Sequence, residues 1–437
     1  MYISQCLIAK NEENNIEYCL NHLKDIVDEQ IVVDTGSTDR TVEKAKKAGA
    51  KIFHFEWIDD FSAARNFALD KAKGDWIIFL DCDEYFSEES VKLIKECIIK
   101  YGEKKNVDGL TCELINIDSN NNILATVKNI SPRIFKRKDY IRYNKKIHEV
   151  LSNTRTSNAN PLLSDVSKHL KIFHTGYDKE EVKNKNKNER NENLLKKELE
   201  ENPEDCKLNL YLSKQLNMEG KYEEALNYSL KSLEYMDKSL IFDYYYTIYS
   251  NIMINMIALS MPYIDIKKIF DEAIKNFPDY PDYYMHISTV TLRENMIDES
   301  IEYLEKCIYY CEHYTKDIES FTIGKIDRVY TNLLNAYRLS DNKPKIVELA
   351  VALLKTNKYD FERLTILIKT FLTQEKEEDI IIFLNKLYDI SKFKDKLYLL
   401  KASEFSGGLK LSEFYRSLLN EEELEVVQNS KLTNESE

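Results

Sequence analysis

Apolar runs of strand length alternate with helical patterns over the first hundred residues. The runs 3–8, 30–33 and 76–80 each have the length of a buried strand. Between them, apolar residues recur at helical spacing, as in 16–23 and 42–48. Because strands and helices alternate, this order predicts an α/β domain whose mostly parallel sheet is covered by helices on both faces.

The run 76–80 stops at two carboxylates, Asp81 and Asp83, which are separated by one residue. In open α/β sheets, ligands bind at the carboxyl ends of the strands. Two oxygen donors at this position suit a divalent cation, Mg²⁺ or Mn²⁺, that commonly bridges to a diphosphate. The alternative is an ordinary Asp-rich turn, since aspartate favours turns.

The pattern changes to shorter strands after residue 106. A polar run at 118–122 has the chemistry of a hairpin turn, and the serine- and asparagine-rich segment 152–161 predicts a loop. The predicted strands are 107–117, 123–127, 133–136, 141–143 and 168–173.

The rest of the chain is predicted to be helical. Residues 179–201 contain seven Lys or Arg and seven Asp or Glu residues. That balance predicts a solvated connecting helix, with an anion site as the alternative. Beyond residue 203, Ala273, Pro278 and the segment 297–307 resemble the pattern of tetratricopeptide repeats. The predicted domains are 1–178, the connecting helix 179–202, the tetratricopeptide-like helices 203–420 and an acidic tail 421–437.

Composition narrows the class of protein. A length of 437 residues with 43% hydrophobic and 31% charged residues indicates a soluble protein of two or three domains. The net charge of −13 argues against nucleic acid as a partner. Eight cysteines without a C-x-x-C pair argue against a zinc site and a disulfide framework. No signal peptide or apolar membrane-spanning segment is visible, so we expect a cytoplasmic protein.

The motifs of the first domain resemble those of the family-2 glycosyltransferases with the GT-A fold. The resemblance lies in the first strand and loop, the D-x-x-S-x-D-x-T element, the A-R-N helix and the D-x-D motif. It implies a Rossmann-like α/β domain that binds a UDP-sugar. These motifs occupy residues 8–12, 33–41, 61–66 and 81–83.

Three later segments, 133–136, 147–149 and 174–177, resemble the acceptor side of a subgroup that joins this domain to tetratricopeptide helices. The sublancin-type peptide S-glycosyltransferases are similar, and they attach a hexose to a cysteine of a bacteriocin precursor. The resemblance therefore implies a peptide or protein acceptor. The family's usual acidic acceptor element is not visible in this sequence.

The resemblance also implies roles for single residues. Asp34 would contact the uracil or ribose, or else only close a turn. Arg65 would pair with the diphosphate, or else brace Asp60 or Asp81. His174 would be a late metal ligand, or else a structural histidine. The implied donor-binding residues are Ala9, Asn11, Asp34, Ser37, Arg65 and Asp81, and the implied metal ligands are Asp83, Asp81 and His174.

Inversion by direct displacement needs a base beside the acceptor. Glu149 is the candidate, with His148 next to it; alternatively, this pair only holds a loop through hydrogen bonds. A thiol acceptor would demand less of the base, because its pKa is lower than that of a hydroxyl.

The sequence therefore predicts a metal-dependent inverting glycosyltransferase that moves a hexose from a UDP-sugar to a peptide or protein side chain, with cysteine as one candidate. A cell-surface glycan or a lipid-linked sugar is the alternative acceptor. A third hypothesis is an inactive domain that serves as a tetratricopeptide scaffold. The repeats offer a concave surface to an acceptor, and their exposed faces could pair two chains.

Overall fold

The computed structural model describes residues 1–432 except 103, 105, 128–131, 156–159, 176–184, 238–243, 317 and 319. The chain separates into two compact units, residues 1–251 and 252–437. Of the segments singled out above, residues 156–159, 176–184 and 433–437 lie outside the described residues.

A seven-stranded sheet forms the centre of the first unit, in the order β12-β6-β9-β4-β1-β2-β3. The four strands β4, β1, β2 and β3 run parallel, and β9 is antiparallel to both β4 and β6. The predicted, mostly parallel sheet is therefore confirmed. Its strands are β1 (Ile3–Ala9), β2 (Glu29–Asp34), β3 (Lys51–His54), β4 (Trp76–Phe79), β6 (Gly109–Thr111), β9 (Ile134–Lys136) and β12 (Leu163–Asp165).

Strand β4 is buried on both faces of this sheet. Ile77 and Phe79 belong to one hydrophobic cluster, whereas Trp76 and Ile78 belong to the cluster on the other face. This alternation explains why the strand reads as a continuous apolar run and not as alternating apolar and polar positions.

A second sheet and a hairpin complete the strands of this unit. The second sheet has the order β5-β13-β7-β8, and β10 pairs with β11 in an antiparallel hairpin. The predicted hairpin across 118–122 is present as β7 and β8. Three short strands, β5, β11 and β12, were not predicted. The single strand predicted at 107–117 is divided into β6 and β7, which belong to different sheets. The remaining strands are β5 (Glu84–Phe86), β7 (Glu113–Ile117), β8 (Ile123–Val127), β10 (Ile141–Asn144), β11 (Val150–Asn153) and β13 (Lys171–His174).

The helices of the first unit position the site. Helix α3 begins at Phe61 because the side chain of Asp60 accepts a hydrogen bond from the backbone N–H of Ala63. Ile147, in the loop after β10, shares a hydrophobic cluster with Leu194 and Leu208 from two later helices. The helices are α1 (Ile16–Asn21), α2 (Thr41–Ala48), α3 (Phe61–Lys71), α4 (Glu88–Cys97), α5 (Lys185–Glu201), α6 (Cys206–Met218), α7 (Tyr222–Glu234) and α8 (Tyr245–Ala258), the last of which extends past residue 251.

The second unit is built of helices, as predicted. No helix among the described residues has the length and apolar character needed to span a membrane. The acidic C-terminal segment forms a helix from residue 421. The helices are α9 (Tyr263–Asn276), α10 (Pro281–Arg293), α11 (Ile297–Glu312), α12 (Ile326–Leu339), α13 (Lys343–Thr356), α14 (Phe361–Leu372), α15 (Glu377–Leu387), α16 (Phe393–Ser406), α17 (Leu409–Ser417) and α18 (Glu421–Leu432).

Candidate functional site

A cavity of about 370 Å³ lies at the carboxyl ends of β1, β2 and β4. This is the edge at which open α/β sheets bind their ligands. Seven of the predicted site residues line it, whereas Asn11, Asp34 and Ser37 do not. The lining residues are Ile8, Ala9, Lys10, Glu12, Thr35, Trp57, Phe61, Arg65, Asp81, Cys82, Asp83, Ile147, His148, Glu149, His174, Arg190 and Asn191.

Asp83 and His174 face each other in this cavity. The register of the second sheet places His174 opposite both Glu84 of β5 and Asn116 of β7. Nε2 of His174 lies 3.2 Å from Oδ2 of Asp83, and Nδ1 lies 2.9 Å from Oδ1 of Asn116. Because the amide oxygen can only accept, Nδ1 carries a proton and Nε2 is the nitrogen turned to the carboxylate.

Burial lowers the pKa of His174, but the hydrogen bond and negative charge of Asp83 outweigh it, so the net shift is upward. A positive charge is therefore favoured between the imidazole and the carboxylate.

Asp81 is held by two arginines. Its Oδ1 accepts a hydrogen bond from Nη2 of Arg65 at 2.7 Å, and its Oδ2 lies 3.6 Å from Nη2 of Arg133. Burial alone would raise the pKa of Asp81, but the charges of Arg65 and Arg133 lower it to about 2. Asp81 is thus an ionised carboxylate whose two oxygens are turned to guanidinium groups.

A buried ion pair between Arg133 and Glu84 also contacts Asp81. Arg133 donates through Nε and Nη2 to the two oxygens of Glu84, at 2.7 and 2.6 Å. Glu84 is 2% exposed, and its Oε2 also accepts from the backbone N–H of Asp81 at 3.1 Å. Sequence reasoning missed this role of Glu84, although its position directly after the D-x-D motif is a local signal.

Arg65 also reaches the predicted base. Its Nε donates to Oε1 of Glu149 at 2.7 Å, and its guanidinium lies over the rings of Phe79 and Tyr143. The sequence left open whether Arg65 pairs with a diphosphate or braces Asp60 or Asp81. Its hydrogen bond with Asp81 agrees with the second alternative. No described residue donates to Oε2 of Glu149, which leaves that oxygen available to a ligand in the cavity.

His148 lies next to Glu149 in a loop with a left-handed backbone at φ 52°. Its ring stacks on Tyr211 of α6 with ring centres 3.9 Å apart. Desolvation lowers the pKa of His148 to about 4, against the opposing effect of Glu149. The imidazole is therefore neutral near pH 7, and its contact with Tyr211 anchors the loop to α6.

The remaining predicted donor-binding residues shape a loop. Asp34 accepts from the backbone N–H groups of Gly36 and Ser37 at 3.3 and 3.0 Å. Asn11 accepts from the backbone N–H of Thr38 at 2.8 Å, and Oγ of Ser37 accepts from the backbone N–H of Asn11 at 3.0 Å. These bonds join the ends of β1 and β2 and so hold the rim next to Ala9.

Within the described part of the chain, no three His, Cys, Asp or Glu side chains gather as a ready metal site. Of the three predicted ligands, Asp83 and His174 come together, while Asp81 is engaged by arginines. Divalent cations in phosphate-transfer sites commonly use one or two protein ligands and take others from the substrate phosphates. The pair of Asp83 and His174 fits that smaller set.

Several lining residues were not predicted. Trp57 precedes the A-R-N segment 61–66 and Phe61 is its first residue; their aromatic character was the available signal. Arg190 and Asn191 belong to the charged segment predicted as a solvated helix, and nothing local distinguishes them from their neighbours.

The comparisons with known proteins identify the first domain. Residues 4–158 match the family model described as Glycosyl transferase family 2. The resemblance inferred from the motifs is therefore confirmed for this part of the chain, which carries a family-2 glycosyltransferase domain.

Two curated relatives extend beyond that domain. The SPbeta prophage-derived glycosyltransferase SunS of Bacillus subtilis is 31% identical over 229 residues, or 52% of this chain and 52% of SunS. A TPR repeat-containing protein of Synechococcus elongatus is 31% identical over 240 residues, or 53% of this chain and 56% of that protein. The chain thus spans about half the length of the curated relatives it matches.

Solved structures are more distant. Glucosyl-3-phosphoglycerate synthase from Mycobacterium tuberculosis, crystallised with Mn²⁺, uridine diphosphate and glucosyl-3-phosphoglycerate, is 23% identical. The comparison covers 27% of this chain and 44% of that one, with a TM-score of 0.22.

Proposed function

We propose that this protein is a metal-dependent, inverting glycosyltransferase that moves a hexose from a UDP-sugar to a side chain of a peptide or protein. The observation that carries this proposal is that Asp83, His174 and Glu149 line one cavity at the strand ends of a family-2 domain. The cavity thus holds a candidate cation site and the carboxylate of Glu149, whose Oε2 accepts no hydrogen bond from the described part of the chain.

Asp83 and His174 would hold the divalent cation, Mg²⁺ or Mn²⁺. A carboxylate oxygen and an imidazole nitrogen are donors that Mn²⁺ accepts, and Oδ2 of Asp83 lies 3.2 Å from Nε2 of His174. When bound, the cation supplies positive charge that stabilises a departing diphosphate. Asp81 would orient Arg65 toward the donor and contact the ribose or the cation through water.

The nucleoside would lie against the rim formed by the ends of β1 and β2. Ala9 and Thr35 line the cavity there, and the bonds of Asn11, Asp34 and Ser37 fix the shape of that rim. A rim made rigid by backbone hydrogen bonds positions the donor with little loss of conformational entropy on binding.

Glu149 would act as the base. Oε1 is held by Arg65, and Oε2 is left to take the proton of the acceptor as the nucleophile attacks the anomeric carbon. His148 would position the loop through Tyr211, since its imidazole already stacks on that ring.

The resemblance to peptide S-glycosyltransferases supports a peptide acceptor, with cysteine as the candidate nucleophile. The test incubates the protein with Mn²⁺, a panel of UDP-sugars and short peptides encoded near its gene, followed by intact-mass analysis. We expect a gain of one hexose that is lost with EDTA and in Asp83→Ala.

The outcomes separate the alternatives. Loss of the mass gain when the acceptor cysteine is changed to serine supports S-transfer, while a retained gain moves the linkage to oxygen. Modification of a lipid-linked sugar but of no peptide would favour the second acceptor class. Absence of UDP-sugar turnover with every acceptor would favour the scaffold hypothesis.

A further inference from the structure

Arg190 of α5 lines the same cavity as Asp83 and Glu149. It lies beyond residue 158, at which the family-2 match ends, so it is supplied by the helical segment and not by the matched domain. The segment around it is evenly charged, and a solvated helix face would be its ordinary interpretation.

The position of Arg190 is fixed by the packing of its helix. Leu194 and Leu195, one turn further along α5, are buried in the cluster that includes Ile147. Glu198 of the same helix accepts a hydrogen bond from the backbone N–H of Lys146 at 3.0 Å. Helix α5 is thereby attached to the loop that carries Glu149.

The guanidinium of Arg190 is poorly satisfied by the protein. Its Nε is buried and has no hydrogen-bond partner among the residues that the structure describes. The described residues give it a single hydrogen bond, from Nη2 to Oδ1 of Asn191 at 3.4 Å, and the group lies over the ring of Phe61 at 5.3 Å. By contrast, Arg65 in the same cavity is paired with two carboxylates.

An arginine in this state is costly to the folded protein. A buried donor without a partner has given up its hydrogen bonds to water and gained none in exchange. Burial also lowers the pKa of Arg190, because desolvation disfavours the charged form. An anion in the cavity would reverse both effects, because guanidinium groups form short, paired hydrogen bonds with phosphate oxygens.

We propose that Arg190 binds the diphosphate of the sugar-nucleotide donor and stabilises it as the leaving group. This inference rests on the proposed function. In the transfer, a lone pair of the acceptor forms the bond to the anomeric carbon while the bond from that carbon to the β-phosphate oxygen breaks. The electron pair of the broken bond remains on that oxygen, to which Arg190 donates, and the acceptor proton passes to Glu149.

The test measures binding of UDP and of uridine by calorimetry, with Mn²⁺ present, to the full-length protein and three variants. Arg190→Gln should weaken UDP binding about 10–100-fold, the equivalent of losing a charge-assisted hydrogen bond or two. The UDP affinity of Arg190→Lys should lie between those of the wild type and Arg190→Gln, because lysine keeps the charge but lacks the paired donors. Uridine binding should not change in either variant.

Lys197→Gln is the matched control, since Lys197 is on the same helix, pairs with Asp59 and does not line this cavity. It should bind UDP like the wild type. Circular dichroism and thermal unfolding establish that each variant is folded.

Three results would overturn the inference. Equal UDP affinity in Arg190→Gln and wild type would overturn it while leaving the proposed function intact. If Arg190→Gln binds UDP like the wild type but has a raised KM for the acceptor, Arg190 binds an anionic group of the acceptor instead. A wild-type protein that binds no UDP would overturn both proposals together.

Discussion

Arg65 donates through Nε to Oε1 of Glu149 at 2.7 Å, although 84 residues separate them in the chain. The bond joins the first turns of α3 to the loop after β10. The same guanidinium binds Asp81, so one buried side chain orients both the carboxylate after β4 and the candidate base. This arrangement makes the role of Glu149 testable apart from its structural contact.

Glu149→Gln should lower the rate of sugar transfer by about 10²–10⁴-fold, the usual contribution of a general base. The amide oxygen of glutamine can still accept from Arg65, so UDP binding and thermal stability should change little. The measurement is the initial rate with the acceptor identified by mass analysis, beside calorimetry with UDP.

Two outcomes would count against that assignment. Unchanged transfer in Glu149→Gln would mean that another group takes the proton. A parallel loss of UDP affinity and stability would instead indicate that Glu149 only holds the loop through Arg65.

Arg133→Met should destabilise the first unit by about 3–5 kcal/mol, because it leaves the buried carboxylate of Glu84 without its partner. Urea-induced unfolding measures the change. Arg133→Lys should be less severe but still destabilising, since lysine cannot donate to both oxygens in the same fork. Adding Glu84→Gln to Arg133→Met should recover part of the lost free energy of unfolding. If the double variant is no more stable than Arg133→Met, the loss of the ion pair with Glu84 is not the cause of the destabilisation.

Asp83→Asn and His174→Gln should each weaken Mn²⁺ binding by at least about tenfold in the presence of UDP. Asn116→Ala should have a smaller effect of the same sign, because groups that orient a ligand commonly contribute to metal affinity. Electron paramagnetic resonance of free Mn²⁺ gives the affinities.

Asp70→Asn is the control for that series, because Asp70 pairs with Arg142 and does not line the cavity. Mn²⁺ affinity that is equal in wild type, Asp83→Asn and His174→Gln would place the cation elsewhere.

His22 should make stability depend on pH. Its Nε2 accepts the backbone N–H of Phe86 at 3.0 Å, so the folded state needs the neutral ring. Burial lowers the pKa of His22, although hydrogen bonds with backbone carbonyls oppose the shift. As pH falls below about 6.5, the unfolded chain takes up a proton that the folded chain resists, and stability decreases.

Urea unfolding of the wild type at pH 7.5 and 5.5 should therefore give a lower free energy of unfolding at pH 5.5. His22→Gln should narrow the difference, because glutamine can accept from Phe86 without titrating. A difference of the same size in both proteins would contradict this role of His22.

Local patterns of apolar and polar residues were sufficient to predict much of the fold. The apolar runs that became β1, β2 and β4 are buried on both faces, and burial of a strand leaves a signature that needs no knowledge of its partners. The carboxylates after β4 were placed correctly for the same reason, since a strand end is a local feature. The short strands β5, β11 and β12 were missed because their pairing is decided by distant neighbours.

The sequence by itself determined the order of β1 to β4 and of the helices between them, the family of the first domain and the position of Asp83 at a strand end. Only the tertiary structure decided that Asp81 is engaged by Arg65 and Arg133, that Glu149 shares Arg65, and that Arg190 lines the cavity. Those contacts join segments far apart in the chain, and side-chain pairing across such distances follows from packing. Periodicity along the chain carries no information about it.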